Sequence, residues 1–302
     1  MTIEEAIKAL GFKVNEIARG LKMSKTMTIG VLIPRLENIF ITSIISNIEN
    51  ILLQNRYSTI ICDYREDINQ EREKLNFLVD KMVDGIIMMP TSSDCEHIKE
   101  IIKDNIPIVL IDRPIKGVNC DMVLVDNLNA SYTAVEHLII NGHKRIGIIC
   151  GPEDIYTTQE RLKGYLRVHE DYSIQVDYDL IKYGDYQLQS GYDLLMELMN
   201  LDPQPTAVFT TNYEMTLGAI IAINERNVKI PEELSFIGFD NLQMSNIVKP
   251  PLSIVVQPMQ QIGETAANIL LKRLKGDTSN FPSLFRLKTE VLIKDSVRKR
   301  NV

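Results

Sequence analysis

From residue 28 onward the chain alternates short, unbroken apolar runs with longer amphipathic stretches, and this alternation restricts the possible folds more than any other feature. The runs Thr28–Pro34, Tyr57–Asp63, Gly85–Pro90, Ile106–Asp112, Met122–Asn127, Arg145–Gly151, Leu180–Tyr186, Thr206–Asn212, Leu234–Asp240 and Ser253–Gln257 read as strands. Between them Ile41–Gln54, Gln70–Met82, Cys95–Asp104, Asn129–Asn141, Gln159–Asp171, Gln189–Asn200, Met215–Arg226 and Met259–Lys275 read as helices. Most strand candidates are apolar throughout, as expected of strands covered on both faces. Repeated strand-helix-strand units imply right-handed crossovers and parallel sheets. Ten strands exceed one comfortable open sheet, so the fold class is expected to be α/β with two doubly wound parallel-sheet lobes.

A chain of 302 residues is long enough for two packed lobes. It contains no apolar run of membrane-spanning length, and Glu4, Glu5 and Lys8 interrupt any signal-peptide pattern, so a cytoplasmic protein without membrane contact is expected. The net charge of −7 argues against a protein that coats nucleic acid with its whole surface. Residues 1–26 nevertheless hold Lys8, Lys13, Arg19, Lys22 and Lys25 against Glu4, Glu5 and Glu16, a local balance of +2. A regulator that touches DNA at one end and chance variation over so short a stretch explain this balance equally well.

Cys62, Cys95, Cys120 and Cys150 form no C-x-x-C pair and are expected to be reduced thiols, mostly buried at strand ends. His97, His137, His143 and His169 lack metal-ligand spacing, so neither a structural zinc nor a cofactor is expected. No G-x-S-x-G, G-x-x-x-x-G-K or close Cys/His pair is present, which gives an enzymatic reading little to build on.

The leading segment has its own order. Ile3 to Phe12 is a short helical pattern stopped by Gly11, and Val14-Asn15-Glu16-Ile17-Ala18-Arg19-Gly20-Leu21-Lys22 follows. A polar spacer, Ser24-Lys25-Thr26, leads into the first strand candidate. Asn15 can cap a helix through its side-chain oxygen, and Leu21 is apolar where an isolated surface helix would be polar. This order resembles the lactose/galactose-repressor family of bacterial regulators, in which a last headpiece helix, an N-x-x-A-R-x-L hinge helix, a linker and the first core strand follow one another. An ordinary helix packing Ile17 and Leu21 on the core is the competing reading.

The resemblance implies a periplasmic-binding-protein-like core whose chain crosses three times between lobes. Residues 1–26 are then the remnant of a DNA-binding headpiece and hinge. The N-terminal lobe spans 27–126 plus 259–283, and the C-terminal lobe spans 127–258 plus 284–302. The resemblance also implies a homodimer. In it, Ala18 lets two hinge helices approach, Leu21 wedges between base pairs in the minor groove, and Arg19 and Lys22 reach phosphates. The helix-turn-helix that precedes this segment in the family has no room before Met1, so the polypeptide as given is expected to bind operator DNA weakly or not at all. The helix at Ile41–Asn55 has apolar residues that could serve core and dimer contact together or belong wholly to the core.

The resemblance extends to an effector site between the lobes. Arg161 lies in Gln159-Glu160-Arg161-Leu162-Lys163-Gly164-Tyr165, similar to the family's R-x-x-G-[FY]. Asp240 ends Ser235-Phe236-Ile237-Gly238-Phe239-Asp240, similar to S-x-I-G-[FY]-D. Asn212 ends another strand, Tyr186 takes the place of the ring-stacking aromatic, and Gln257 stands at a crossover. From the N-terminal lobe, Asn38 and Phe40 match the N-P-F-F loop, while Asp112 and Arg113 end a further strand. A guanidinium forks onto hydroxyls or a carboxylate, and a carboxylate accepts hydroxyl donors, so a small polar, sugar-like effector is implied. Asn38-Ile39-Phe40-Ile41 lacks the proline and one aromatic of the family motif, which points to an effector other than a typical hexose or to looser stacking. The expected function is a ligand-responsive transcriptional regulator. The alternative is a solute-binding protein of an uptake system, which shares the core but would carry a signal peptide and no hinge helix.

Overall fold

The computed structural model describes residues 25–92, 96–103, 106–240 and 242–300. The hinge residues Asn15, Ala18, Arg19, Leu21 and Lys22, together with Cys95, lie outside them. The described residues form two six-stranded sheets flanked by helices. The first sheet contains β1 (Thr28–Ile33), β2 (Ser58–Asp63), β3 (Gly85–Met88), β4 (Ile108–Ile111), β5 (Asp121–Val125) and β11 (Leu284–Leu287), in the order β11-β5-β4-β3-β1-β2. The second contains β6 (Ile146–Cys150), β7 (Ile181–Tyr183), β8 (Ala207–Thr210), β9 (Ser235–Phe239), β10 (Ser253–Val256) and β12 (Glu290–Leu292), in the order β12-β10-β9-β8-β6-β7. The two orders match position for position. Every pairing is parallel except that of β12 with β10.

Strands β1, β3, β4, β6, β8 and β9 are buried almost throughout because helices cover both faces of each sheet. In the first lobe, α1 (Ile39–Gln54) and α9 (Met259–Leu274) pack on one face and α2 (Ile68–Asp80) and α3 (Glu96–Lys103) on the other. In the second lobe, α4 (Asn127–Ile140) and α5 (Tyr156–Asp171) cover one face and α6 (Leu188–Met199) and α7 (Tyr213–Glu225) the other. The short α8 (Leu242–Ile247) lies between β9 and β10. Four helices start on an Asn or Asp whose side-chain oxygen accepts a first-turn amide: Asn38, Asp67, Asp126 and Asn212. For this reason α1, α2, α4 and α7 begin two residues before the apolar periodicity does.

The tail corrects one expected boundary. Leu284–Leu287 does not belong with the second lobe; it pairs in parallel with β5 of the first. The cause is a buried tie. Arg273, at the end of α9, grips both oxygens of Asp121 at 2.7 and 2.8 Å, and the Ser283 amide donates to the same carboxylate at 2.7 Å. The chain is thereby delivered onto the β5 edge before it crosses over. Asp126, at the first crossing, donates its backbone amide to Leu287 at the third, at 2.9 Å.

Helix α1 also resolves an open reading. Ile41, Ile44, Ile45, Ile48 and Leu52 are all buried within the protomer, and Ile51 packs partly against the same core. These residues are core. The basic residues near the end are exposed at Arg298 and Lys299, yet their segment is tied down: Arg300 N donates to Asn141 O at 2.8 Å and Arg298 N to Ser235 Oγ at 3.1 Å. Cys62, Cys120 and Cys150 are buried free thiols. No helix among the described residues is long and apolar enough to cross a membrane.

Candidate ligand-binding cleft

In both sheets the carboxyl ends of the strands face a single cleft between the lobes, the usual site for ligands in doubly wound folds. The cleft cavity is partly open to solvent. All eight residues singled out from sequence line it. Asn38, Phe40 and Asp112 come from the first lobe, Arg161, Tyr186, Asn212 and Asp240 from the second, and Gln257 from the second crossing.

Asp240 directly follows β9 and is buried. Its two oxygens accept from Gln257 Nε2 at 3.0 and 3.1 Å. Burial pushes its carboxyl up to about 7, against the pull of Arg161 and the Gln257 bond, while Glu214 and Asp112 push it further up. Arg161 lies one turn past Thr157 on the buried face of α5. Its Nε donates to Asn127 Oδ1 at 2.7 Å and its Nη1 to the Thr211 carbonyl. The guanidinium sits 4.1 Å from the Phe239 ring centroid, a cation–π contact that fixes its plane.

Tyr186 adopts left-handed backbone, φ 64°, and anchors its hydroxyl to Thr157 and Thr158 Oγ1 at 3.0 and 2.6 Å. Gly151 leaves room for the ring, since a Cβ there would lie inside it. Asn212 caps α7, and its amide nitrogen donates to the Tyr186 carbonyl at 3.2 Å.

Sequence reading does not single out several cleft residues. Arg113, noted only as a strand end, is buried 3.4 Å from Glu66 Oε2 and 3.6 Å from Asp112 Oδ2. Arg35 and Glu214 also face the cleft. An acid in the first turn of a helix reads as an answer to the helix dipole, so nothing near Glu214 in sequence marks a cleft position. Two of the four buried side-chain polar atoms without a hydrogen-bond partner among the described residues belong to cleft residues: Gln257 Oε1, an acceptor, and Arg113 Nε, a donor. Native interiors rarely leave such groups unpaired, so the cleft has capacity for a ligand that both donates and accepts. Among the described residues no group of His, Cys, Asp and Glu could hold a metal ion.

Residues 135–297 match the periplasmic binding protein-like domain model. The catabolite control protein A of Priestia megaterium is 36% identical over 91% of this chain and 83% of its own length. The HTH-type transcriptional repressor PurR of Actinobacillus pleuropneumoniae is 31% identical over 98% of this chain and 89% of its own length. A LacI family transcriptional regulator from Enterococcus faecium with bound ribose superposes with a TM-score of 0.82 at 29% identity, covering 91% of this chain and 100% of that one. With repressors matched over nearly the whole sequence and both lobes matched in three dimensions, the chain belongs to the lactose/galactose-repressor family of ligand-responsive transcriptional regulators.

Proposed function

We propose that the cleft takes a small neutral sugar, of about the size of ribose, and that its occupancy sets the spacing of the two lobes in a cytoplasmic, homodimeric repressor. The observation that carries this reading is the convergence of Asp112 and Asp240 from opposite lobes, beside the unpaired Gln257 Oε1 and the fixed guanidinium of Arg161. Vicinal hydroxyls both donate and accept. Asp112, Asp240 and Gln257 Oε1 accept from them, while Arg161 and Arg113 donate to them. Tyr186 and Phe40 supply ring faces for the apolar side of a sugar. The ribose bound to the Enterococcus faecium neighbour supports the ligand class and size.

A ligand that touches both lobes binds better when they are closed, and this difference in affinity is what shifts the equilibrium. A second copy of the chain provides the lever. Strand β2 is the edge of the first sheet, and an edge strand needs a cover. Ile61 on that strand, Leu53 at the end of α1 and Phe77 on α2 are all exposed in the protomer. Light scattering is expected to show a dimer, and a monomer at every working concentration would remove this part of the reading.

Thermal melting against a panel of sugars tests the ligand. A sugar at a hundred times its Kd stabilises the fold by about 2.7 kcal/mol. Arg161→Ala and Asp240→Ala are expected to abolish that shift, and unchanged shifts in both variants would show that the sugar binds elsewhere.

A further inference from the structure

Glu214 joins the two lobes inside the cleft. Its Oε1 accepts from Asn38 Nδ2 at 3.0 Å and its Oε2 from Asn212 Nδ2 at 3.1 Å. Asn38 caps α1 in the first lobe and Asn212 caps α7 in the second. The caps decide which end of each amide faces the cleft. Asn38 Oδ1 accepts from Ile41 N and Asn212 Oδ1 from Met215 N, both at 3.1 Å, so each NH₂ group is turned toward the same carboxylate. Two donors on one carboxyl favour its ionised form, which has acceptors only. Burial nonetheless leaves the Glu214 carboxyl raised overall, with its own backbone amide and Arg35 pulling the other way.

Each cation of the cleft lies near an acid, and Arg113 is ion-paired. Arg113 has Glu66 and Asp112 within 4 Å and donates to the carbonyls of Pro90 and Thr91. Arg161 acts on Asp240, and Arg35 acts on Glu214. Three guanidiniums therefore face four carboxylates, and Asp240 already feels Glu214 and Asp112 as repulsion. A phosphate or carboxylate entering this space would lose its hydration and meet more acids than guanidiniums. A neutral polyol would find acceptors for its hydroxyl donors.

We infer that Glu214 is a specificity-determining residue, bridging the lobes through the amides of Asn38 and Asn212 and excluding effectors that carry a phosphate or carboxylate. This rests on the sugar-effector reading above.

The test is calorimetric titration of the full chain, as wild type, Glu214→Gln and Glu214→Ala, against matched pairs: D-ribose with D-ribose 5-phosphate, D-glucose with D-glucose 6-phosphate, and D-glucose with D-glucuronate. Melting of each variant without ligand establishes that it is folded. Wild type is expected to bind the neutral member of a pair about tenfold or more tightly than the anionic one, and Glu214→Gln to shrink that ratio about tenfold. The ratio separates charge from size, because both members meet the same altered cleft. Equal binding of both members by wild type, or an unchanged ratio in both variants, overturns the inference while leaving the sugar reading in place. No binding of any sugar overturns the sugar reading and the inference with it.

Discussion

Asp112 and Asp240 occupy the same position in the two lobes. Each directly follows the third strand from the outer edge of its sheet, β4 or β9. Each has a left-handed backbone, φ 65° and φ 60°, and each donates its amide across to the neighbouring strand, to Val123 O at 3.0 Å and Val255 O at 2.7 Å. Left-handed backbone costs a non-glycine residue free energy, and it recurs at these two matched carboxylates of the cleft.

The raised carboxyl of Asp240 gives a pH dependence whose sign is opposite to that of a paired acid. Its value of about 7 in the folded, ligand-free protein lies above the unfolded one, so its contribution is most favourable below the unfolded value and is lost as pH rises through about 7. Asp240→Asn is therefore expected to stabilise the ligand-free protein more at pH 8 than at pH 5, by a difference on the order of 2 kcal/mol. Thermal melts across this range check it, and parallel curves for variant and wild type would refute it. Because the ionised carboxylate is the better hydroxyl acceptor, wild-type sugar affinity should rise from pH 6 to pH 8.

Gly151 is a steric prediction. A Cβ at this position overlaps the Tyr186 ring, so Gly151→Ala should push the ring from its place and break its hydroxyl bonds to Thr157 and Thr158. Overpacking of this kind costs about 1–3 kcal/mol. The expected outcome is a folded protein with sugar affinity about tenfold weaker or worse, measured by calorimetry.

Helices α6 and α7 approach through reciprocal glycines. A Cβ on Gly218 would collide with the Leu188 carbonyl, and one on Gly191 with the Met215 backbone. The obstacle in both cases is backbone, which gives little. Gly218→Ala should lower stability by about 1–3 kcal/mol and Tm by several degrees, as read by urea and thermal unfolding.

His143 is a neutral tie for the last segment. Its Nδ1 lies 3.0 Å from Thr206 Oγ1 and its Nε2 3.1 Å from the Arg298 carbonyl. Burial lowers its pKa to about 4, outweighing the Arg298 carbonyl. Its contribution is thus present above the ordinary histidine value and lost as pH falls toward 4. Wild type should lose stability between pH 6.5 and 4 more steeply than His143→Gln, and acid titration followed by circular dichroism will show whether it does.

Among the described residues, ten of the twelve strands and the eight longer helices are legible as periodic patterns, because interior strands and amphipathic helices leave their burial in the order of residue types. The two missed strands are β11 and β12, both sheet edges. Leu284 and Phe285 are exposed there, so no apolar run marks a strand, and the pairing depends on Arg273 reaching Asp121, 152 positions away. The six-residue α8 is too short for a helical period to register.

The cleft divides in the same way. Arg161, Asp240 and Asn212 stand in motifs similar to the family's, and that resemblance groups them; the shared side of strand ends in a doubly wound sheet agrees for Asp240 and Asn212. The pairing of Asn38 with Glu214, 176 positions apart, leaves no local trace. It exists because two helix caps from separate lobes turn their amide donors toward one point. Propensity and periodicity act over a few residues and therefore set strands, helices and caps. Charge balance and contact across the cleft depend on distances that arise only when both lobes are packed and facing.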